Sequence, residues 1–322
     1  MTRVGLVLGA GGVVGQAYHA GVLAALEHDY GWDPRSAEVI VGTSAGSITG
    51  ALLRSGVPAS ELAAWTVRAP LTDEGRVLEE MFGTKHPDLE PFRPLDLIRR
   101  PPSLPRPKMV LNALRRPCQF RPLTTAMALL APGRFDIVEQ LSALGRTSAW
   151  PRQELWINTV RREDGKHVVF GREGSPFAPL HLAVAASCAV PGYFSPVQIG
   201  RHAYVDGGAH SPTNADLLRD RELDLVIVVS PMSGPARISG DIFDASRRLA
   251  TRLAAREVKA LRSNGTPVVV FRPGQAEQAA MGNDFLSADR VDEIVQESFL
   301  ASGEYAAGSP LRDLLRSAAL AS

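Results

Sequence analysis

Short apolar runs punctuated by glycine organise the N-terminal half of this chain. Val4-Gly5-Leu6-Val7-Leu8 is apolar and stops at a glycine cluster, the pattern of a short buried strand. Over residues 16–29 apolar positions recur at helical spacing, among them Ala20, Leu23, Ala24 and Leu26. Residues 38–41 predict a second strand, and Ala45–Arg54 a second helix. Residues 155–160 and His167–Phe170 read as further strands, joined through Asp164-Gly165, a strong hairpin signal. Leu225–Val229 and Val268–Phe271 are unbroken apolar runs, as in parallel strands covered on both faces. Between them, residues 242–261 keep helical spacing up to the stop signal Asn264-Gly265. Strands alternating with helices predict an α/β fold, a layered sheet with helices on both faces.

Two segments depart from this plan. Residues 91–133 hold nine of the 24 prolines and little strand pattern, and are expected to form an insertion over the sheet. Residues 273–322 lack strand signals and are expected to be helices packed on the outside. The expected organisation is one main domain over 1–272, carrying the insertion, followed by a helical extension over 273–322.

Composition narrows the function classes. The chain has 322 residues, 45% apolar and 21% charged, enough to bury a core without disulfide or metal support. Lys+Arg 35 against Asp+Glu 34 leaves a net charge of +1, which argues against nucleic-acid binding. The two cysteines, Cys118 and Cys188, form no CxxC or Cys/His cluster, so no metal or cofactor is expected and a reducing compartment fits. Residues 1–26 loosely mimic a secretory signal, but four glycines between Gly9 and Gly15 interrupt the apolar run. With no uncharged stretch long enough to span a bilayer, a cytoplasmic protein is expected.

Three segments carry candidate chemistry. Gly42-Thr43-Ser44-Ala45-Gly46 is a G-x-S-x-G between a β-branched strand and a helix, the setting of a nucleophile elbow. Gly9-Ala10-Gly11-Gly12-Val13-Val14-Gly15 also joins a strand to a helix, and its exposed N–H groups suit either an oxyanion hole or a phosphate loop. The phosphate reading fails twice. The sixth position of G-x-G-x-x-G is Val14, and the second strand ends in no acid for a ribose. Asp206-Gly207-Gly208 follows Tyr204-Val205 and offers a carboxylate; His210 lies close by, although no histidine stands in a triad context. Asn214, a little further on, reads as a helix N-cap.

The glycine loop, the G-T-S-A-G, the block Ala186-Ser187-Cys188-Ala189-Val190-Pro191-Gly192-Tyr193-Phe194 and Asp206-Gly207-Gly208, in that order, resemble the patatin-like phospholipase family over roughly residues 3–272. The resemblance implies a Ser–Asp dyad without histidine. Ser44 would be the nucleophile, Asp206 the base, and Gly11, Gly12 and Val13 the oxyanion donors. It implies hydrolysis of phospholipids or other acyl esters; acyl transfer to an alcohol is the same chemistry with another acceptor. The family's glycine loop usually carries a basic residue where this chain has Val14. That departure keeps open a catalytically weak lipid-binding protein; a nucleotide-binding regulatory module is the other alternative, disfavoured by Val14 and the missing acid.

Charge is unevenly spread. Residues 91–121 carry eight Lys or Arg against the single acid Asp96, whereas 71–90 carry six acids against two bases. The run is either a solvated loop paired with that acidic stretch or a peripheral contact with anionic lipid, where each cation contributes about 1 kcal/mol. On the second reading, the protein binds anionic vesicles better than zwitterionic ones, less so as salt rises. Charge reversal at Arg99, Arg100, Arg115 and Arg116 abolishes the preference and spares hydrolysis of a soluble ester. Equal partition to both vesicle types at low salt would leave a solvated loop.

Overall fold

In the computed structural model, which describes residues 2–84, 89–91, 122–145, 150–235, 242–307 and 311–319, the alternating pattern becomes one sheet between helical layers. The order begins β1 (Val4–Leu8), α1 (Gly12–Tyr30), β2 (Val39–Gly42), α2 (Ala45–Arg54), α3 (Ala59–Thr66) and α4 (Arg76–Phe82). It continues with α5 (Pro122–Leu129), α6 (Ile137–Gln140), β3 (Glu154–Arg161), β4 (His167–Phe170), α7 (Leu180–Cys188), β5 (Val197–Ile199) and β6 (His202–Asp206). The chain then forms β7 (Leu225–Val229), α8 (Ile242–Ser263), β8 (Val268–Phe271), α9 (Gln275–Met281), α10 (Val291–Ala307) and α11 (Leu311–Ala319). The basic run over 92–121 lies outside the described residues.

The sheet runs β5-β6-β3-β2-β1-β7-β8, with β4 also paired to β3. From β3 to β8 the neighbours are parallel, and β4, β5 and β6 add an antiparallel margin. The Asp164-Gly165 hairpin forms as its sequence predicts, with Gly165 at φ 68°. The β5–β6 hairpin was not legible: Val197–Ile199 is three residues long and its turn glycine, Gly200, stands alone.

Side chains alternate between faces, so an all-apolar strand feeds two cores at once. Leu6, Leu8, Ile40, Leu155 and Ile227 enter the larger core, together with α1, α3 and α7. Val7, Val39, Val41, Val226 and Val228 enter a second core closed by Val258 and Leu261 of α8.

The C-terminal helices lie outside α1, yet Val291, Ile294 and Val295 of α10 belong to the larger core. This explains why α1 is apolar nearly all round: the sheet takes one side and α10 the other. The two helices touch closely at Gly21, where an added Cβ would overlap the Ser298 hydroxyl and the Val295 carbonyl. Tyr30 Oη donates to the Gly303 carbonyl at 3.0 Å further along. Gly21→Ala is therefore expected to lower stability by about 1–3 kcal/mol, the cost of overpacking. An unchanged urea midpoint would mean that α10 does not seat on α1 as described.

Candidate active site

The site is created by a break in strand pairing. β2 pairs with β3 in parallel from Val39↔Glu154 to Gly42↔Ile157. β6 pairs antiparallel with β3 from Arg161↔Tyr204 to Thr159↔Asp206. Because β4 occupies the opposite edge over Ile157–Val160, β2 and β6 share one edge of β3 and point their C-terminal ends at each other. Only Asn158 separates their last paired positions. Ser44 leaves one end and Asp206 closes the other, so residues far apart in sequence meet across a one-residue gap.

Local geometry strains the serine. Ser44 sits at φ 53°, ψ −122°, a left-handed backbone that a non-glycine residue holds only where its surroundings force it. Those surroundings require both motif glycines. A Cβ on Gly42 would run into the backbone of Gly46 and Ser47, and one on Gly46 into the Leu8 carbonyl. Thr43 N–H, at the turn, donates to Leu8 O at 3.0 Å. The helix start and the end of β1 are thus pressed together, with the serine held at the turn between them.

Asn158, which the sequence pattern did not single out, braces this arrangement together with the 186–194 block. Asn158 Nδ2 donates to Gly42 O at 2.9 Å and to Thr43 Oγ1 at 3.1 Å. Ser187 Oγ donates to Asn158 O at 2.7 Å and accepts the Ser44 N–H at 3.0 Å. Ala189 O accepts the Asp206 N–H at 3.0 Å. One block, 186–194, therefore holds the backbone of both Ser44 and Asp206. The available signal for Asn158 was a lone amide inside the apolar strand 155–160. Asn214 is corrected in role: it precedes a 3-10 turn but makes no cap bond. Its Nδ2 instead donates to Thr43 Oγ1 at 3.0 Å and Ser211 O at 2.6 Å.

Burial dominates the electrostatics. Ser44 is 6% exposed and Asp206 4%. Desolvation raises the Asp206 carboxyl to about 7, against the hydrogen bonds from the Ser44 hydroxyl and the Gly208 N–H, which favour the charged form. The Gly208 bond is 2.7 Å long. Burial, with Asp206 nearby, pushes the Cys188 thiol far up, so it stays protonated beside Ser47 Oγ at 3.7 Å. His19, wholly buried in α1, is held neutral, its pKa lowered to about 3. His210 stacks on His167 with ring centroids 4.1 Å apart.

The glycine loop lies against both other motifs. Ala10 N–H donates to Pro212 O at 2.8 Å, and Gly208 lies against Ala10. α1 begins at Gly12, earlier than the periodicity of 16–29 suggests, so the loop amides belong to a helix N-terminus with its partial positive charge. Among the described residues, the N–H groups of Gly11, Gly12 and Val13 donate to no backbone carbonyl. Val14 N–H donates to Phe285 O at 3.3 Å, and its side chain is buried in the larger core. Where a basic residue was looked for, the chain thus anchors the segment between α9 and α10.

Among the described residues, no three His, Cys, Asp or Glu side chains converge as a metal site, and no helix is long and apolar enough to cross a membrane. A groove of about 770 Å³ runs along β8, lined by Tyr18, Val258, Phe271 and Tyr305. In sheet order, β7 and β1 separate it from β2, so it is not the approach to Ser44.

Fold and site first define a class: an α/β protein that carries a serine on a strained strand–helix turn, brought beside a buried aspartate. A sequence profile described as patatin-like phospholipase matches residues 6–219, and the chain belongs to that family. Among solved structures, the type III effector protein ExoU is similar over 99% of this chain and 54% of its own, at 17% identity and TM-score 0.40. VipD from Legionella pneumophila is similar over 92% of this chain and 67% of its own, at 12% identity and TM-score 0.39. The heterodimeric ExoU–SpcU complex of the Pseudomonas aeruginosa type III secretion system gives 96% and 59%, at 18% identity and TM-score 0.31. The chain spans little more than half the length of the ExoU chains. No curated protein sequence matches it.

The Asp206 shift has two measurable consequences. A base must be ionised to accept a proton, so kcat/KM is expected to rise with pH through about 7. The native carboxyl also keeps its proton up to about 7, whereas the unfolded one releases it near 3.8. The folded state binds more protons in that window, so stability falls as pH rises through it. Asp206→Asn removes this loss, and its thermal midpoint at pH 8 should exceed that of the wild type. A lower midpoint would mean that burial does not destabilise the carboxylate.

Proposed function

We propose that this protein hydrolyses acyl esters of lipids with Ser44 as nucleophile and Asp206 as general base. The observation that carries the reading is the meeting of Ser44, on a strained turn, with a buried carboxylate, Asp206, whose pKa is raised to about 7. A carboxylate with that pKa is a better base than an exposed aspartate at neutral pH, which offsets the absence of an imidazole.

In this scheme, Asp206 accepts the Ser44 proton as Oγ attacks the ester carbonyl. The N–H groups of Gly11, Gly12 and Val13, at the start of α1, stabilise the oxyanion. The intermediate collapses to an acyl-enzyme, and Asp206 returns the proton to the departing alcohol. Water then attacks the acyl group and gives a proton to Asp206, which passes it to Ser44 Oγ as the C–O bond to the serine breaks and the fatty acid leaves. An alcohol in place of water would make the same enzyme an acyltransferase. Residues 1–272 would form the catalytic unit and 273–322 its helical extension, seated on α1. The protein would work in the cytoplasm, peripherally at a membrane surface, without a cofactor or nucleic-acid partner. Family membership and the combination of elbow and buried base support this reading over lipid binding without turnover, which would leave the Ser44–Asp206 contact without a use.

Ser44→Ala is expected to abolish both ester hydrolysis and covalent labelling by a fluorophosphonate probe while leaving the fold intact. Asp206→Asn should be nearly as damaging, since an amide cannot take the proton. Alanine at each of the seven histidines should leave most of the rate. If any one of those variants loses as much as Asp206→Asn, a triad replaces the dyad.

A further inference from the structure

Glu257 is a buried carboxylate on α8, on the face of the sheet served by the second core, and the catalytic scheme above has no use for it. Its Oε2 accepts the Thr213 hydroxyl at 2.5 Å and the Ala215 N–H at 2.8 Å. Both donors belong to one short segment, 211–215.

That segment touches every part of the candidate site. Ser211 N–H donates to Gly207 O at 3.2 Å, in the loop that follows Asp206. Pro212 O accepts Ala10 N–H of the glycine loop at 2.8 Å. Asn214 Nδ2 reaches Thr43 Oγ1 of the elbow at 3.0 Å. Asn214 achieves this from a left-handed backbone, φ 54°, ψ 32°, which asparagine tolerates better than other non-glycine residues. Without a fixed anchor the segment would relax, and its three contacts with the site would relax together. A carboxylate suits the anchoring role because its two oxygens can accept several donors at once, and because a buried carboxylate needs those donors itself.

We propose that Glu257 is a positioning residue for the Ser44 chemistry: it clamps residues 211–215, and through them fixes the glycine loop, the elbow and the Asp206 loop relative to one another. The inference rests on the hydrolase reading, so turnover and probe labelling of the wild-type protein are measured first. Glu257→Ala should then lower kcat by about 10- to 100-fold, the scale of a misplacement near 1 Å, with KM little changed and at a temperature where the variant is fully folded. Glu257→Gln, which keeps an acceptor oxygen in the same place, should restore most of that loss. A purely structural role would lower the thermal midpoint but leave kcat unchanged in the folded variant, and that result overturns the proposal. Equal loss in the Ala and Gln variants overturns it as well, since charge rather than position would then matter. If Glu257→Ala does not fold, Thr213→Val removes a single donor and should show a smaller fall in kcat with the same unchanged KM; wild-type kcat there would overturn the clamp. Should the wild type neither turn over nor label, the hydrolase reading fails, and the clamp is read instead from amide exchange. The Ala10 N–H, bonded to Pro212, should exchange faster in Glu257→Ala, and unchanged exchange would sink the inference.

Discussion

The shared edge of β3 is the constraint on which this molecule turns. Two strands of opposite direction use the same edge and stop short of each other, and the backbone groups at the gap must find partners because the site is buried. Asn158 meets that demand from the middle of β3. Its side chain caps the end of β2, and its carbonyl, through Ser187, holds the Ser44 N–H. The meeting of serine and aspartate is therefore fixed by sheet pairing, the stiffest element available, rather than by loop contacts. Loops alone would leave two distant segments to find each other against their own conformational entropy.

A second consequence is electrostatic. Placing the aspartate at the end of a strand inside the sheet removes it from water, which destabilises its charged form and raises its basicity. The Gly208 N–H and the Ser44 hydroxyl return part of that stabilisation, so the carboxyl titrates near neutrality rather than being locked in its protonated form. Stability and basicity are set against each other here: the burial that would suit Asp206 to the proposed role of base also makes its carboxylate unfavourable in the folded state.

The glycine loop shows how the C-terminal helices enter the same design. α1 starts inside the loop, so the amides that the proposed mechanism would offer to a developing oxyanion are N–H groups that a helix start leaves over. Val14 N–H is taken by Phe285 and the Val14 side chain by the core, which fixes the first turn of α1 from the outer side. Residues 273–322 are beyond the part of the chain that the family profile matches, yet they contact the loop that part would use.

Much of this was legible in the primary structure for one reason: local backbone demands leave local marks. Glycines at 42 and 46 mark close approach, the apolar runs at 4–8, 225–229 and 268–271 mark strands buried twice, and Asp164-Gly165 marks a turn. Ser44 stands in a glycine-marked elbow pattern, whereas the pairing of Ser44 with Asp206 was implied by the resemblance of the motifs taken in order. What the sequence did not determine is whatever depends on partners distant along the chain. Asn158, Ser187 and Glu257 look like ordinary polar residues until β3, α7 and α8 bring them against the elbow and the 211–215 segment. Asn214 reads as a cap locally and becomes a cross-link only because Thr43 is folded against it. The short strands β5 and β6 carry too little periodicity to announce themselves, and only the free length of the β3 edge beyond β2 gives β6 its place. Local conformation is written residue by residue; the pairing of remote edges is decided by which buried backbone groups are still unpaired when the sheet closes.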